Sequence, residues 1–443
     1  MASQQTTNRW SLSSGSLTGF LAGSIFFVLT WALAPVMSAQ TYTVLHSFTG
    51  GADGAHPYAG LTIDRRGNFY GTAYSGGLQN NYCGDYYDVG CGTVFKLAHV
   101  GSGWTLSPIY SFQGRSVNDG SNPQARVVFG PDGALYGTSR TGGVDVDNCF
   151  DLVCGGTVFR LAPPATACKS VLCPWTETIM HTFLGGYDGA RPGYGDVTFA
   201  PHTLNLYGVT INGGGGLCND STCGAAYELR PNGDEWDEML LYHFGDGGAQ
   251  GFWPSGGLVL DPSGNLYGTT GWLSSVYELF PQTQTAETLH IFDYQNEGDE
   301  AIGSVIFDQA GNLYGTTSVG GPNGGGSVFE LSRSGSGWTF DLLYAFATNG
   351  LQNQYGSTAN LAMDAAGNLY GTTYNYGLNN FGNVFKLTRS GSSWTYTSLH
   401  DFTGGNDGGN PWGQVILDSA GNIYGTTVYG GTTGNGVVFE ITP

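Results

Sequence analysis

Along this chain short apolar runs alternate with turn residues, and the alternation repeats. In the stretch around residue 310 the runs are Gly303 to Asp308, Asn312 to Thr317, Ser327 to Leu331 and Trp338 to Phe346. Their length and their bounding glycines, asparagines and serines predict four antiparallel β-strands, here called A to D. Between A and B stands Asp-x-x-Gly-Asn, as in Asp261, Gly264 and Asn265. This predicts a tight hairpin in which glycine supplies positive φ and the aspartate holds the turn backbone. Gly130 takes the aspartate's place in the second unit, and the third reads "APHTLN".

Strand B carries the strongest repeat, "NLYGTT", whose tyrosine recurs at Tyr70, Tyr136, Tyr207, Tyr267, Tyr314, Tyr370 and Tyr424, 59 residues apart on average. Strand D closes on Phe112, Phe183, Phe244, Phe292, Phe346 and Phe402, but the seventh unit stops at Pro443 after strand C. The missing run stands at the other end: "TYTVLHSF", Thr41 to Phe48, matches "TYTSLHDF", Thr395 to Phe402. A ring explains both the shortfall and the surplus. The expected fold is all-β: a seven-bladed β-propeller of four-stranded antiparallel blades, closed by the N-terminal strand joining the C-terminal blade.

Composition changes this picture at the edges. Arg9 precedes an apolar run from Leu17 to Ala34 and small residues at Ser38 and Ala39, so residues 1–39 read as a secretory signal, with an uncleaved anchor as the alternative, and 40–443 as one propeller domain. Eight cysteines fall into close pairs, Cys83 with Cys91, Cys149 with Cys154, Cys168 with Cys173 and Cys218 with Cys223. Behind an export signal this spacing predicts four loop-stapling disulfides. A formal charge of −20 excludes nucleic acid and anionic membrane surfaces as partners. The expectation is a monomer, secreted or periplasmic, off the membrane once the signal is cleaved.

The "GNLYGTT" copies, the Gly-Gly that follows them as at Gly320 and Gly321, and "GTVFKL" or "GSVFEL" at Gly92 to Leu97 and Gly326 to Leu331 together resemble the GloVer tandem-repeat family of bacterial secreted proteins. Members of that family often carry a C-terminal sorting anchor. This chain ends in "VVFEITP", which points to a soluble form. The resemblance implies no settled activity.

Candidate chemistry is sparse. His46, His181, His290 and His400 stand two before the strand D phenylalanine, where other units have Tyr110, Tyr242 and Tyr344. Exchange with tyrosine predicts packing plus one hydrogen bond rather than metal ligation. No metal or cofactor is expected, and no serine lies in a G-x-S-x-G elbow. The Asp-Gly steps at Asp53, Asp119, Asp188 and Asp407 read as turns, with calcium ligation as the alternative. The B-to-C loops are long in blades 1 to 3, carrying Asp85, Asp88, Asp145, Asp147, Asp151, Asp220, Tyr82, Tyr86 and Tyr87, and shortest in blade 4 at Gly271 to Ser274.

The D-to-A connections place His56, Tyr58, Asp188, Arg191, Tyr194, Trp253 and Trp412 around the central mouth. Aromatic faces beside polar groups suit a saccharide or peptide. Two functions follow as expectations. One is a non-enzymatic binding or interaction module for an extracellular glycan or protein. The other is a carbohydrate-active hydrolase or lyase using mouth carboxylates with Arg191 or His56.

Overall fold

The Asp-x-x-Gly-Asn turn shows why strand B begins where it does. Asp308 Oδ1 accepts the N–H groups of Ala310 and Asn312 at 2.8 and 2.9 Å, while Oδ2 accepts from the Asn312 amide and the Tyr314 hydroxyl. One carboxylate thus closes the hairpin and tethers the tyrosine of the next strand. The arrangement recurs at Asp64, Asp364 and Asp418. In the second unit, where Gly130 breaks the motif, Asp132 accepts from Ala134 N and Tyr136 Oη instead.

The computed structural model describes residues 40–443 except 79–82, 84–89, 145–154, 165–174, 216–222, 246–250, 336, 349–354 and 392. Seven antiparallel blade sheets follow one another, with strand A first and D last in sequence order, and a small two-stranded sheet pairs Gly120–Ser121 with Thr141–Gly142. In blade 5 the strands are Ile306–Phe307, Leu313–Thr317, Gly324–Ser334 and Gly337–Ala347. Blade 7 takes Ile416–Leu417, Ile423–Thr427 and Val437–Thr442 from the C-terminus and Thr41–Ser47 from the N-terminus as its strand D. Tyr42 faces Ile441, and Val44 faces Phe439, in that closing ladder. The chain is therefore a propeller closed by its first strand.

Each residue of "LYGTT" has a structural reason. The glycine lies over the ring of the neighbouring strand C: a Cβ on Gly71 would stand 2.5 Å from Phe95 Cζ. The following threonine reaches the next blade, as Thr269 Oγ1 donates to Gly303 O at 2.8 Å and Thr426 Oγ1 to Ala59 O across the closure, also at 2.8 Å. The tyrosine and leucine fill the space between blades; one cluster joins Tyr314, Val328 and Phe346 of blade 5 to Leu361, Leu369 and Phe385 of blade 6. Burying each such side chain contributes roughly 1.5–3 kcal/mol. The core is thus a series of interfaces around the ring.

Every C–D pairing carries a β-bulge at the same place, the extra strand D residue being Leu45, Ile109, Met180, Leu241, Leu289, Leu343 or Leu399. A bulge re-aims the side chains beyond it. Here it turns the histidine or tyrosine two before the phenylalanine toward the D-to-A loop. Cys83 and Cys91 are joined, with 4.8 Å between their Cα atoms, and Cys223 is also disulfide-bonded. Cys149, Cys154, Cys168, Cys173 and Cys218 lie outside the described residues, as do Asp85, Asp88, Asp145, Asp147, Asp151, Asp220, Tyr82, Tyr86 and Tyr87.

Candidate site at the channel mouth

Just before strand A each blade has two equivalent positions separated by a small residue, and most of them line the mouth. Counting three back from the last apolar residue before the strand gives Tyr58, Gln124, Tyr194, Ser255, Ile302, Thr358 and Trp412; one back gives Gly60, Arg126, Asp196, Gly257, Ser304, Asn360 and Gln414. The intervening alanines and glycines are required because neighbouring backbones touch there. A Cβ on Gly413 would lie 2.4 Å from the Ala59 carbonyl carbon. The axis is consequently narrow, and only a small, open cavity of about 30 Å³ lies within these two rings.

Three sequence candidates meet in that cavity: Tyr58, Tyr194 and Trp412 line it. The Trp412 ring centroid lies 6.0 Å from that of Tyr58, 5.3 Å from Tyr194 and 5.2 Å from Tyr374. Burial, reinforced by a hydrogen bond to Tyr429, pushes the Tyr58 phenol well above its ordinary value, so it stays neutral. Tyr374 also bonds Tyr429. In the same lining Arg126 Nη2 and Nε hold Asp196 Oδ2 at 2.7 and 2.9 Å. The Gln124, Asn360 and Gln414 side chains complete the polar lining. Two polar atoms of lining residues, Trp412 Nε1 and Thr358 Oγ1, are shielded from water with no hydrogen-bond partner among the described residues.

The other candidates stand apart. His56 donates from Nδ1 to Val428 O at 3.1 Å and packs edge-on against Tyr429, one residue removed from the cavity. Its backbone is left-handed, as are Asn122, Arg191, Trp253, Glu300 and Asn410 at the same place in other blades. Trp253 lies on the rim, 39% exposed, with its ring 5.5 Å from that of Trp272 beside the short blade 4 hairpin. Asp188 closes its own loop, accepting from His181 Nε2 at 2.9 Å and from Leu184 N. Gln124, Arg126, Asp196, Asn360 and Gln414 were not anticipated, yet aligning the repeats on the last apolar residue before strand A would have found them.

The strand D histidines each meet one acid: His46 meets Asp53 at 3.0 Å, His290 meets Glu297 at 2.8 Å and His400 meets Asp407 at 3.2 Å. At His181 a second acid intrudes. His181, Asp188 and Glu238 bring one ligand atom each within 4.8 Å of one another. Burial, then the nearby Asp188, raise Glu238 to about 7 even though His181 favours its charged form. One blade earlier, burial and Asp119 raise Glu177 to about 8, and Tyr110 Oη donates to Asp119 at 2.9 Å and to Glu177 at 3.2 Å.

The Gloeobacter/Verrucomicrobia repeat matches residues 28–173, 88–275, 154–359 and 272–443, so that its copies run through all seven blades. The chain belongs to the Gloeobacter/Verrucomicrobia repeat family. This is the resemblance that the "GNLYGTT" copies carried, now set on a described propeller. No curated protein matches the sequence. Among solved structures, the chain is similar to virginiamycin B lyase from Staphylococcus aureus, at 12% identity over 91% of this chain and 99% of that one with a TM-score of 0.53. It is also similar to the extracellular domain of a hybrid two-component system from B. thetaiotaomicron, at 11% identity and TM-score 0.52, over 90% of this chain and 39% of that one. Both likenesses show the fold alone. For this member of the family, function has to be argued from the mouth.

Proposed function

We propose that the protein is an extracytoplasmic binding module that takes a neutral, hydroxyl-rich ligand, the end or a turn of a glycan chain, at the channel mouth. The observation that carries this is the pairing of an aromatic wall, Tyr58, Tyr194 and Trp412, with two shielded polar atoms, Trp412 Nε1 and Thr358 Oγ1, that lack partners among the described residues. Rings supply apolar contact at low entropic cost, and sugar hydroxyls offer the acceptors and donors those atoms want. The charge of −20 disfavours anionic ligands, and Asp196, the carboxylate of the cavity lining, is neutralised by Arg126. The disulfide at Cys83 and Cys91 fits an oxidising compartment.

A hydrolase or lyase would need a proton donor and acceptor at the ligand. The two carboxyl pairs, Asp119 with Glu177 and Asp188 with Glu238, stand between strand D and the loop that follows the preceding strand D, not in the cavity lining. Binding without turnover is therefore the expected behaviour. The test is a panel of neutral oligosaccharides, read by isothermal titration calorimetry and by release of reducing ends. Micromolar-to-millimolar binding of at least one of them, with no product formed, is the predicted result. Turnover, or no binding across the panel, would overturn it.

A further inference from the structure

Seven equivalent places on strand D, six residues before the phenylalanine, pack against the histidine or tyrosine of the preceding blade, and the residue found there changes around the ring. Tyr42 stacks on His400 with 3.8 Å between centroids, Phe340 on His290 with 4.7 Å, and Tyr396 on Tyr344 with 4.4 Å. Leu106 and Ala286 occupy the same place in blades 1 and 4. Blade 3 has Glu238, set against a histidine already paired with an aspartate. Of the strand D histidines described, His181 alone has a carboxylate from the next blade at this position.

From this juxtaposition we infer that His181, Asp188 and Glu238 form a divalent-cation site, best suited to zinc. The donor set is one imidazole nitrogen and two carboxylate oxygens, which matches three-ligand zinc coordination with the remaining position open to water. His181 and Asp188 are 18% and 21% exposed, enough for an ion to arrive from solvent. Glu238 Oε1 is shielded from water and has no hydrogen-bond partner among the described residues, although the carboxyl also bonds Asp188, so a proton or a cation must meet the pair. Asp188 Oδ2 is occupied by Leu184 N, which leaves Oδ1, the atom beside His181, to turn toward the metal. Local sequence spacing gives no hint of this site, because its ligands come from strand D of one blade, the loop after it and strand D of the next. An ion there would pin blade 2 to blade 3.

The repeat itself supplies the control variants. Glu238→Ala copies Ala286 and His181→Tyr copies Tyr110, residues that the same framework already accommodates. Untagged protein, stripped with a chelator, would be titrated with zinc chloride by calorimetry and melted with and without zinc. The expected result is one zinc per chain, a Tm that rises with zinc, and at least about tenfold weaker binding with no Tm rise in both variants while they stay folded. Failure of the parent protein to take up zinc, or binding by both variants as tight as the parent's, would overturn the site.

Discussion

Between blades 5 and 6 the ring of Tyr396 lies flat against Tyr344, whereas at the same place between blades 1 and 2 Glu177 meets Tyr110 and Asp119. The two interfaces share strand order, bulge and phenylalanine. Among the described residues they differ in the group at this strand D place, and the difference separates what the repeat needs from what it merely permits. An aromatic at this place adds apolar area and stacking in a region already dry. A carboxyl adds a charge that burial disfavours and a second acid beside the loop aspartate, so one proton is held between them. The framework tolerates both because the neighbouring positions, from the strand B tyrosine to the interblade threonine, carry the bulk of the cohesion.

The largest effect that should follow from this contrast is at the stacked interface. Tyr396→Ala removes a ring that also touches Phe346, Phe385 and Tyr376 and accepts from Asn383 Nδ2 at 2.6 Å. A loss of about 3 kcal/mol is expected in urea denaturation, and a loss below about 1 kcal/mol would mean that stacking contributes little there.

At the acidic interface the effect should depend on pH. Glu177 titrates near 4.5 in an unfolded chain and about 8 in the folded one, so the folded state binds its proton more tightly. The associated stability is full below about pH 4.5 and is lost as pH rises toward about 8. Glu177→Gln should flatten that decline in Tm and stabilise the protein at the alkaline end by about 1 kcal/mol or more. An unchanged slope in the variant would show that the proton is not shared there.

The smallest contrast concerns the interblade threonines. Thr372 Oγ1 donates to Gly413 O at 3.1 Å, but its counterpart Thr138 Oγ1 is buried without a partner among the described residues. Thr372→Val should cost about 1 kcal/mol and Thr138→Val close to nothing, both read from denaturation midpoints. Equal losses would remove the interblade hydrogen bond from the account.

The same contrast explains what the sequence reveals. Strand number, blade number and the closing strand were legible because they depend on period and on a missing run, both of which survive without knowing any contact. Tyr58, Tyr194 and Trp412 were legible because a proline-marked turn fixes where strand A begins. Trp253 sits in a similar local pattern, yet its left-handed backbone sends it to Trp272 and the rim. Arg126 and Asp196 escaped notice because their pairing crosses from blade 2 to blade 3, and Glu238 because the partner that gives it meaning is 57 residues away at His181. Motif spacing reads along the chain, whereas a propeller's sites are assembled across it.

The most direct test sets one departure from the repeat against a strand C position that is aromatic in every blade, phenylalanine in five and tyrosine in two. Trp412→Ala and Phe385→Ala would be measured side by side for thermal melting and for binding of whichever oligosaccharide the panel identifies. Phe385 is fully buried beneath Gly371 and within the interface core, so its loss should lower Tm sharply while the protein that remains folded binds as before. Trp412→Ala should leave Tm within a few degrees and weaken binding by about tenfold or more, the cost of one stacking aromatic at a desolvated site. The reverse pattern for Trp412→Ala, a sharp drop in Tm with undiminished binding by the folded fraction, would contradict the account and make the aromatic mouth part of the core.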